Sequence, residues 1–378
     1  MMMVILSLIL FIYGITIVQL IVGFDKISTY RPSNTNQKPT TFFAIVIPFR
    51  NEFENLPHLL ESLKNLDYPK ELFEIILVDD FSTDESVKTI YNWRMENGVF
   101  QTTLLENLRI SNSPKKDAIA RAIPIIKNNW IITTDADCMV NSNWLKTLDN
   151  YIQNNEVDMI VGSVSYQCKK TFLHHFQQLD LMSLQGATIG SFGMGLGFMC
   201  NGANFCYTKT LFEQLHGFKG NNKMASGDDV FLLQKAMKKH SYEKEKVRYL
   251  KSESNIVITK PVDSWKDLFQ QRIRWASKTG SYQSVFGKDL AVIVFLGNLC
   301  LVVGCWLSVF GFFTWVNFAI LFLIKFIVDT ILLYKTNGFF SKKRMRYLIL
   351  SSVFYPFFCV SVALLAMFGK YEWKGRKF

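Results

Sequence analysis

The chain has 378 residues, of which 42 are Lys or Arg and 31 are Asp or Glu, so its formal net charge is +11. Hydrophobic residues make up 49% of the chain and aromatic residues 15%, which excludes a disordered chain and a purely nucleic-acid-binding tail. The mean hydropathy of +0.14 is higher than soluble enzymes usually show, so we expect part of the chain to lie in a membrane.

Met1–Phe24 and Leu290–Phe313 contain no charged residue, and each is long enough to cross a bilayer. The first lacks the basic segment and the A-x-A-like cleavage site of a signal peptide, so we interpret residues 1–24 as a retained transmembrane anchor. Lys26, Arg31 and Lys38 follow this anchor and predict that its C-terminal side faces the cytoplasm.

Residues 25–40 are polar and read as a linker, after which residues 41–260 form the predicted globular domain. Short apolar runs alternate there with amphipathic stretches, which predicts an α/β fold with a parallel sheet and helices on both faces. The predicted strands are 42–48, 73–80, 101–105 and 130–137, and the predicted helices lie near 54–66, 84–97 and 115–127. Such sheets bind ligands beyond the carboxyl ends of their strands.

Acidic residues stand at two of these strand ends. Asp79 and Asp80 can accept a hydrogen bond from a nucleobase or a ribose, although Ser82 or Asp84 in the same segment would serve equally as ordinary helix caps.

Asp135 and Asp137 offer hard oxygen ligands for a divalent ion such as Mg²⁺; the alternative is a solvated turn. Lys115 and Lys116 are either phosphate partners or a solvated helix start.

A third acidic pair, Asp228 and Asp229 in the segment Ala225–Asp229, precedes an apolar helical run and can simply complement a helix N-terminus. Three acidic clusters in one crevice repel one another unless a cation or a shared proton is present, so at least one carboxylate should have a raised pKa. That carboxylate is a candidate general base.

Residues 261–289 form an aromatic and basic amphipathic segment that contains QQRIRW. Its Arg and Trp side chains suit phosphate binding and stacking on a sugar, or alternatively interfacial anchoring. The glycine-rich stretch Phe192–Asn204 does not fit a dinucleotide fingerprint and is interpreted as a loop or helix end near the membrane, where an acceptor can enter.

Residues 290–369 are a membrane region of two or three transmembrane helices, followed by a basic tail at 370–378. Lys325 and Asp329 are four residues apart and predict an ion pair on one helix face. The basic loop 335–347 is predicted to be cytoplasmic, so residues 348–369 either cross again, against the charge bias of the tail, or form a re-entrant or interfacial element.

The segments IPFRNE, VDDFSTD, PKKDAIA, TTDAD, NGANFCYTK, GDD and QRIRW occur in this order between about Thr41 and Ser281. Together they resemble the motif series of membrane-bound glycosyltransferase family 2, in particular the branch that includes cellulose, chitin and hyaluronan synthases. The resemblance implies a GT-A nucleotide-sugar-binding (Rossmann-like) domain with an N-terminal transmembrane helix and C-terminal transmembrane helices.

The resemblance also implies the roles of individual residues. Asp229 aligns with the general base, and Asp228 is kept as a second catalytic candidate because Gly-Asp-Asp stands where the synthases commonly have Thr-Glu-Asp. The other implied sites are donor binding by Arg50, Glu52, Asp79, Asp80, Lys115 and Asp135, metal binding (Mg²⁺ or Mn²⁺) by Asp135 and Asp137, and acceptor or diphosphate binding by Gln271, Arg274 and Trp275.

The expected function is that of an inverting, hexosyltransferase-like glycosyltransferase in polysaccharide or glycolipid biosynthesis. Its expected partners are a nucleotide-sugar donor, with a UDP-sugar favoured, a lipid-linked or saccharide acceptor, and the membrane, but no nucleic acid. We expect the chain to be integral to the inner cell membrane with its catalytic domain in the cytoplasm. The alternative is a membrane-anchored nucleotide-binding scaffold or transport subunit without catalysis.

Overall fold

The computed structural model describes residues 2–32, 37–221, 224, 226–368, 372–373 and 376–377. The middle of the predicted linker (33–36), Ala225 of the third acidic segment and much of the basic tail lie outside the described residues. The chain divides into two units, which we describe separately. An α/β unit contains Ser28–Gln167 and Met199–Lys260, and a helical unit contains Met1–Ile27, Cys168–Phe198 and Pro261–Phe378.

The α/β unit is built on a seven-stranded sheet with the strand order β3-β2-β1-β4-β7-β5-β8, beside a two-stranded sheet of β6 and β9. The strands are β1 (Phe43–Phe49), β2 (Phe73–Asp79), β3 (Gln101–Glu106), β4 (Trp130–Thr133), β5 (Met159–Gly162), β6 (Val164–Tyr166), β7 (Phe205–Thr208), β8 (Val247–Leu250) and β9 (Val257–Thr259). The helices are α2 (Leu56–Lys64), α3 (Ser86–Glu96), α4 (Pro114–Ala122), α5 (Trp144–Gln153), α7 (Lys209–Gln214) and α8 (Asp228–Lys239).

Apolar side chains cover both faces of this sheet. Alternate residues of β1 and β2, from Phe43 and Phe73 onward, share one buried cluster with α2 and α5, in which Trp144 is fully buried. On the opposite face α4 contacts β1 and β2 and buries Ala118 and Ile119. Helices on both faces confirm the predicted α/β layering. The physical reason is that strands with apolar side chains on both sides need a helix on each face.

The four predicted strands form the expected parallel sheet, and further strands that were not predicted make the complete sheet mixed. β3, β2, β1 and β4 are parallel, whereas β7 runs antiparallel to both of its neighbours, β4 and β5. Two parallel neighbouring strands are usually joined by a helical crossover within the same domain. Between β6 and β7 the chain instead enters the helical unit at Cys168 and returns at Met199, so β7 joins the sheet in the opposite direction.

The helical unit contains six helices, four of which are long and apolar enough to cross a membrane among the residues that the structure describes. The helices are α1 (Met2–Lys26), α6 (Phe172–Gly193), α9 (Trp265–Ala276), α10 (Val285–Val309), α11 (Trp315–Phe340) and α12 (Leu348–Phe368), followed by the two-residue strands β10 (Glu372–Trp373) and β11 (Arg376–Lys377). The candidate spans are α1, α10, α11 and Leu348–Met367 of α12. Helix α6, which was not predicted, lies within the stretch 41–260 that was predicted to be one domain.

Helices α1 and α6 touch backbone to backbone. A Cβ atom built on Gly193 would lie 1.8 Å from the carbonyl oxygen of Gly23, and one on Gly190 would lie 2.3 Å from the carbonyl oxygen of Leu20. Only glycine fits such a crossing, which is the small-residue packing typical of helices in membranes.

The predicted pair of Lys325 and Asp329 is confirmed, with Nζ 2.6 Å from the carboxylate. The Tyr13 hydroxyl of α1 donates a second hydrogen bond of 2.6 Å to Asp329. At the C-terminal ends of α1 and α11, Lys335 Nζ lies 2.9 Å from Asp25. These two ends are therefore level with each other.

Candidate active site

The loops that follow β1 and β2 are joined by hydrogen bonds. Arg50 Nη1 donates to the carbonyl oxygens of Asp80 and Phe81 at 2.7 and 2.9 Å. The backbone N–H of Glu52 donates to Ser86 Oγ at 2.8 Å, and the Glu52 carboxylate accepts from Asn55 at 2.7 Å. Arg50 and Glu52 thus connect the loop after β1 to the loop after β2.

Asp79 and Asp80 have different surroundings. Asp80 is buried, and its two carboxylate oxygens accept a forked pair of bonds from Arg109, each 2.9 Å long, together with one from Asn107 at 2.8 Å. Asp79 is partly exposed and accepts from the backbone N–H of Ser82 at 3.0 Å. Asp80 therefore holds the loop after β3 through Asn107 and Arg109.

Arg109 and Asn107 were not predicted as site residues, since polar residues in a loop give no signal of their own without a known partner. Asp84 Oδ1 accepts from the backbone N–H of Ser86 at 3.0 Å, whereas the N-cap residue of α3 is Glu85, without a side-chain cap bond. Asp79 is the less buried of the two candidate donor-binding carboxylates.

A lysine joins two of the acidic segments. Lys115 Nζ, in the first turn of α4, lies 2.6 Å from Asp135 Oδ1 after β4 and 3.4 Å from Asp228 Oδ2 at the start of α8. Burial by itself lowers the pKa of Lys115, but the negative charges of Asp135, Asp228 and Asp229 outweigh it and hold the pKa above its ordinary value. The ammonium thus supplies a positive charge to two of the three acidic clusters.

The neighbouring lysine does something else. Lys116 is buried, and its Nζ donates to the carbonyl oxygens of Asn221 and Met224 at 2.8 and 3.0 Å. The two lysines that the sequence left equivalent thus differ: Lys115 faces the carboxylates, and Lys116 holds the segment that precedes α8.

Asp229 is positioned by the backbone. Its Oδ2 accepts from the N–H of Gly202 and its Oδ1 from the N–H of Val230, both at 2.8 Å. Gly227, which precedes α8, has φ of +84°, a conformation that favours glycine. A Cβ on Gly202 would lie 3.1 Å from both Lys115 Nζ and Asp228 Oδ2, so this segment of backbone approaches the charged cluster closely.

The segment around Gly202 is anchored by a buried asparagine that was not predicted as a site residue. Asn204 Nδ2 donates to the carbonyl oxygens of Ser163 and Asn255 at 2.9 and 2.6 Å, while its Oδ1 accepts from Trp144 Nε1 at 3.1 Å. An amide with these buried partners fixes the loop rigidly. The sequence signal that could have identified this residue is its position: Asn204 is a polar residue between the apolar Ala203 and Phe205.

Asp135 and Asp137 suit a divalent cation whose shell is completed by other oxygens. The Asp135 side chain is 37% exposed, and Asp137 accepts from the Cys138 thiol at 3.5 Å. Burial, and then the charges of Asp137 and Asp135, raise the pKa of Cys138 well above its ordinary value, so that group stays a thiol. Mg²⁺ typically takes one or two protein carboxylates and fills its shell with phosphate oxygens and water, which matches this donor set. Within the described ranges, no group of three or more His, Cys, Asp or Glu side chains is placed to hold a metal.

The remaining predicted residues, Gln271, Arg274 and Trp275, lie on α9 of the helical unit. Gln271 and Trp275 both contact Arg272, whose guanidinium lies 4.2 Å from the Trp275 ring centre and donates to the side-chain amide oxygen Oε1 of Gln271. Arg272 pairs in turn with Asp180 of α6. Neither Arg272 nor Asp180 was predicted as a site residue.

Two family models match this chain. The model of the family described as "Glycosyl transferase family 2" matches residues 44–215, and that of "Glycosyl transferase family group 2" matches residues 130–369, more than half of the chain. The chain belongs to glycosyltransferase family 2. The membership confirms the resemblance drawn from the ordered motifs.

Curated relatives each match about a third of the family 2 chain. Poly(ribitol-phosphate) beta-N-acetylglucosaminyltransferase TarS of Staphylococcus aureus is 26% identical over 119 residues, which are 32% of this chain and 20% of TarS. Poly(ribitol-phosphate) beta-glucosyltransferase of Bacillus spizizenii is 34% identical over 123 residues, 32% of this chain and 19% of that protein. The aligned segment thus spans about a fifth of these relatives.

A solved structure resembles nearly the whole chain. The mannosyltransferase PcManGT from Pyrobaculum calidifontis, determined in complex with GDP-Man and Mn²⁺, superposes with a TM-score of 0.59 at 15% identity, over 97% of this chain and 98% of that one. At this identity the likeness shows the shared fold. It supports the predicted GT-A domain with N-terminal and C-terminal apolar helices.

Proposed function

We propose that this protein is an inverting glycosyltransferase that moves a sugar from a nucleotide-sugar donor to a membrane-associated or polysaccharide acceptor. The observation that carries the proposal is the cluster in which Lys115 contacts Asp135 and Asp228 beside an Asp229 held by Gly202. In a member of family 2, such a cluster has the charges that diphosphate departure and proton removal require.

Asp229 is the proposed general base. The acceptor hydroxyl oxygen bonds to the anomeric carbon while the bond to the diphosphate oxygen breaks, and the hydroxyl proton passes to the Asp229 carboxylate. Asp228 suits this role less well, because it is buried and its charge faces Lys115 at 3.4 Å. Attack opposite the leaving group inverts the anomeric configuration.

Lys115 and Asp79 are the proposed donor contacts. The Lys115 ammonium, kept charged by its carboxylate neighbours, can bind diphosphate oxygens, and the partly exposed Asp79 can accept from the nucleoside. Asp135 and Asp137 would hold Mg²⁺ or Mn²⁺, which when bound neutralises the departing diphosphate. Gln271, Arg274 and Trp275 keep their proposed role at the acceptor and diphosphate.

We further propose that the protein is integral to the inner membrane and that its α/β unit is cytoplasmic. The level ends of α1 and α11, joined by the Asp25–Lys335 pair, support one shared side for Lys26 and the basic loop 335–347. Positive loops favour the cytoplasm. The proposed acceptor is accordingly a lipid-linked or saccharide chain at that surface, and the donor a UDP-sugar, with GDP-sugars tested beside it.

The test is nucleotide release by the detergent-purified full chain over UDP-, GDP- and dTDP-sugars, with Mg²⁺, with Mn²⁺ and with EDTA. Membrane lipids are added as acceptors, Asp135→Asn is the test variant, and Asp67→Asn, an exposed carboxylate paired with Lys146, is the control. We expect metal-dependent release from one donor, lost in Asp135→Asn and kept in Asp67→Asn. Donor binding without turnover in every condition would instead support the nucleotide-binding scaffold.

A further inference from the structure

Helix α6 carries three buried polar side chains at steps of three residues: His174, Gln177 and Asp180. Their exposed fractions are 3%, 0% and 5%. Residues spaced by three lie on neighbouring positions of one helix face. Buried polar side chains need hydrogen-bond partners, and the identity of these partners indicates the structural role of the three residues.

The first two side chains bind the segment that leads into α9. The Gln177 amide accepts from the N–H of Val262 at 3.0 Å and donates to its carbonyl at 2.8 Å. His174 Nδ1 accepts from the backbone N–H of Lys169 at 3.0 Å, so its Nε2 carries the proton that is shared with Asp263 at 2.8 Å. The entry to α9 is thus held at two successive residues.

The third side chain binds α9 itself. Arg272 Nε donates to Asp180 Oδ2 at 2.5 Å, and the two side chains are 5% and 6% exposed. The same guanidinium donates to the side-chain amide oxygen Oε1 of Gln271 and lies 4.2 Å from the centre of the Trp275 ring. One buried ion pair therefore reaches two of the three side chains assigned to the acceptor and diphosphate.

Stability alone does not account for this pair. A buried ion pair loses so much hydration that apolar side chains of the same size often hold two helices equally well. Apolar contacts are already present on α9, where Leu268 and Ile273 pack with Phe358 and Val362 of α12. A charged, directional contact adds one fixed orientation of the guanidinium, which apolar packing cannot impose.

We propose that Asp180 is a positioning residue for the Gln271–Trp275 segment: through Arg272 it sets the orientation of Gln271 and Trp275. The inference rests on the proposed function, since it assigns these side chains to sugar transfer. In this role Asp180 acts on the two side chains through Arg272.

The test compares Asp180→Asn and Arg272→Lys with the wild type in detergent. Asparagine keeps the size of Asp180 and removes its charge, whereas lysine keeps the charge of Arg272 and removes its fork and planar face. Leu321→Ala is the control, because it opens a buried apolar contact of α11 that belongs to a different cluster from α9. For each protein, kcat and KM are measured well below its Tm, and hydrogen exchange is followed over residues 265–276.

We expect both polar variants to lose about 100-fold in kcat, as small misplacements of catalytic groups do, and to exchange faster across α9. Leu321→Ala should lower Tm while kcat changes by less than about threefold, since it leaves the motif side chains in place. An active wild type with an equally active Asp180→Asn would overturn this inference alone. A wild type that transfers no sugar would contradict the proposed function itself.

Discussion

The ammonium of Lys115 lies 2.6 Å from Asp135 and 3.4 Å from Asp228 and so joins two acidic segments that are far apart in the sequence. The first carboxylate follows a strand and the second opens a helix. Because Lys115 contacts both carboxylates, its ammonium contributes positive charge to both segments.

Lys115→Gln should reduce sugar transfer by at least about 100-fold, because the glutamine cannot supply positive charge to the departing diphosphate. Lys146→Gln is the control: Lys146 pairs with Asp67 on the surface, with both side chains more than half exposed, so its loss should leave the rate unchanged. The measurement is the initial rate of sugar transfer at saturating donor for the wild type and both variants. Wild-type turnover in Lys115→Gln would exclude the lysine from the chemistry.

Substitution of the two adjacent aspartates should separate stability from binding. Asp80→Asn should lower the free energy of unfolding by about 1–3 kcal/mol, because it weakens the forked pair with Arg109, whose side chain is 35% exposed. Asp79→Asn should leave Tm nearly unchanged and weaken donor binding. Thermal unfolding and calorimetric titration with the donor measure both effects, and a reversal of the two phenotypes would contradict the assignment.

Gly202→Ala should slow transfer roughly tenfold without unfolding the protein. The new methyl group would lie 3.1 Å from Lys115 Nζ and Asp228 Oδ2, so these side-chain ends must move by a few tenths of an ångström. Small displacements of charged groups in an active site reduce rates more than they reduce stability. Unchanged kcat with a folded variant would show that this close approach does not matter.

The crossing of α1 and α6 should be intolerant of a single methyl group. Gly193→Ala places Cβ 1.8 Å from the carbonyl oxygen of Gly23, which forces two backbones apart and should cost about 1–3 kcal/mol. Gly14→Ala, also in α1, meets nothing within 4 Å and serves as the matched control. Thermal unfolding in detergent should show a lower Tm for Gly193→Ala only; equal values would contradict the close crossing.

Much of the α/β unit could be predicted from local patterns. β1 and β2 appear as short apolar runs, and both begin and end within a residue of the predicted bounds, because their burial on both faces leaves a continuous signal. The ion pair of Lys325 and Asp329 was equally predictable, since spacing by four on a helix brings two charges together.

Long-range contacts could not be predicted in the same way. Helix α6 mixes buried His174, Gln177 and Asp180 with several glycines, so its sequence shows neither a clear apolar stripe nor a membrane span. The bond from Arg109 to Asp80 and the reversed direction of β7 depend on which segments meet in space. Local residue patterns carry no information about such tertiary contacts.

The most direct test of the proposed chemistry is Asp229→Asn. The amide oxygen of asparagine can still accept one of the backbone hydrogen bonds from Gly202 and Val230, so the fold should be kept while the proton acceptor is lost. We predict that donor binding, measured by calorimetry, stays within about threefold of wild type while kcat for transfer falls by at least about 1,000-fold, in keeping with the loss of a general base. Transfer at the wild-type rate by a folded, donor-binding Asp229→Asn protein would contradict this prediction.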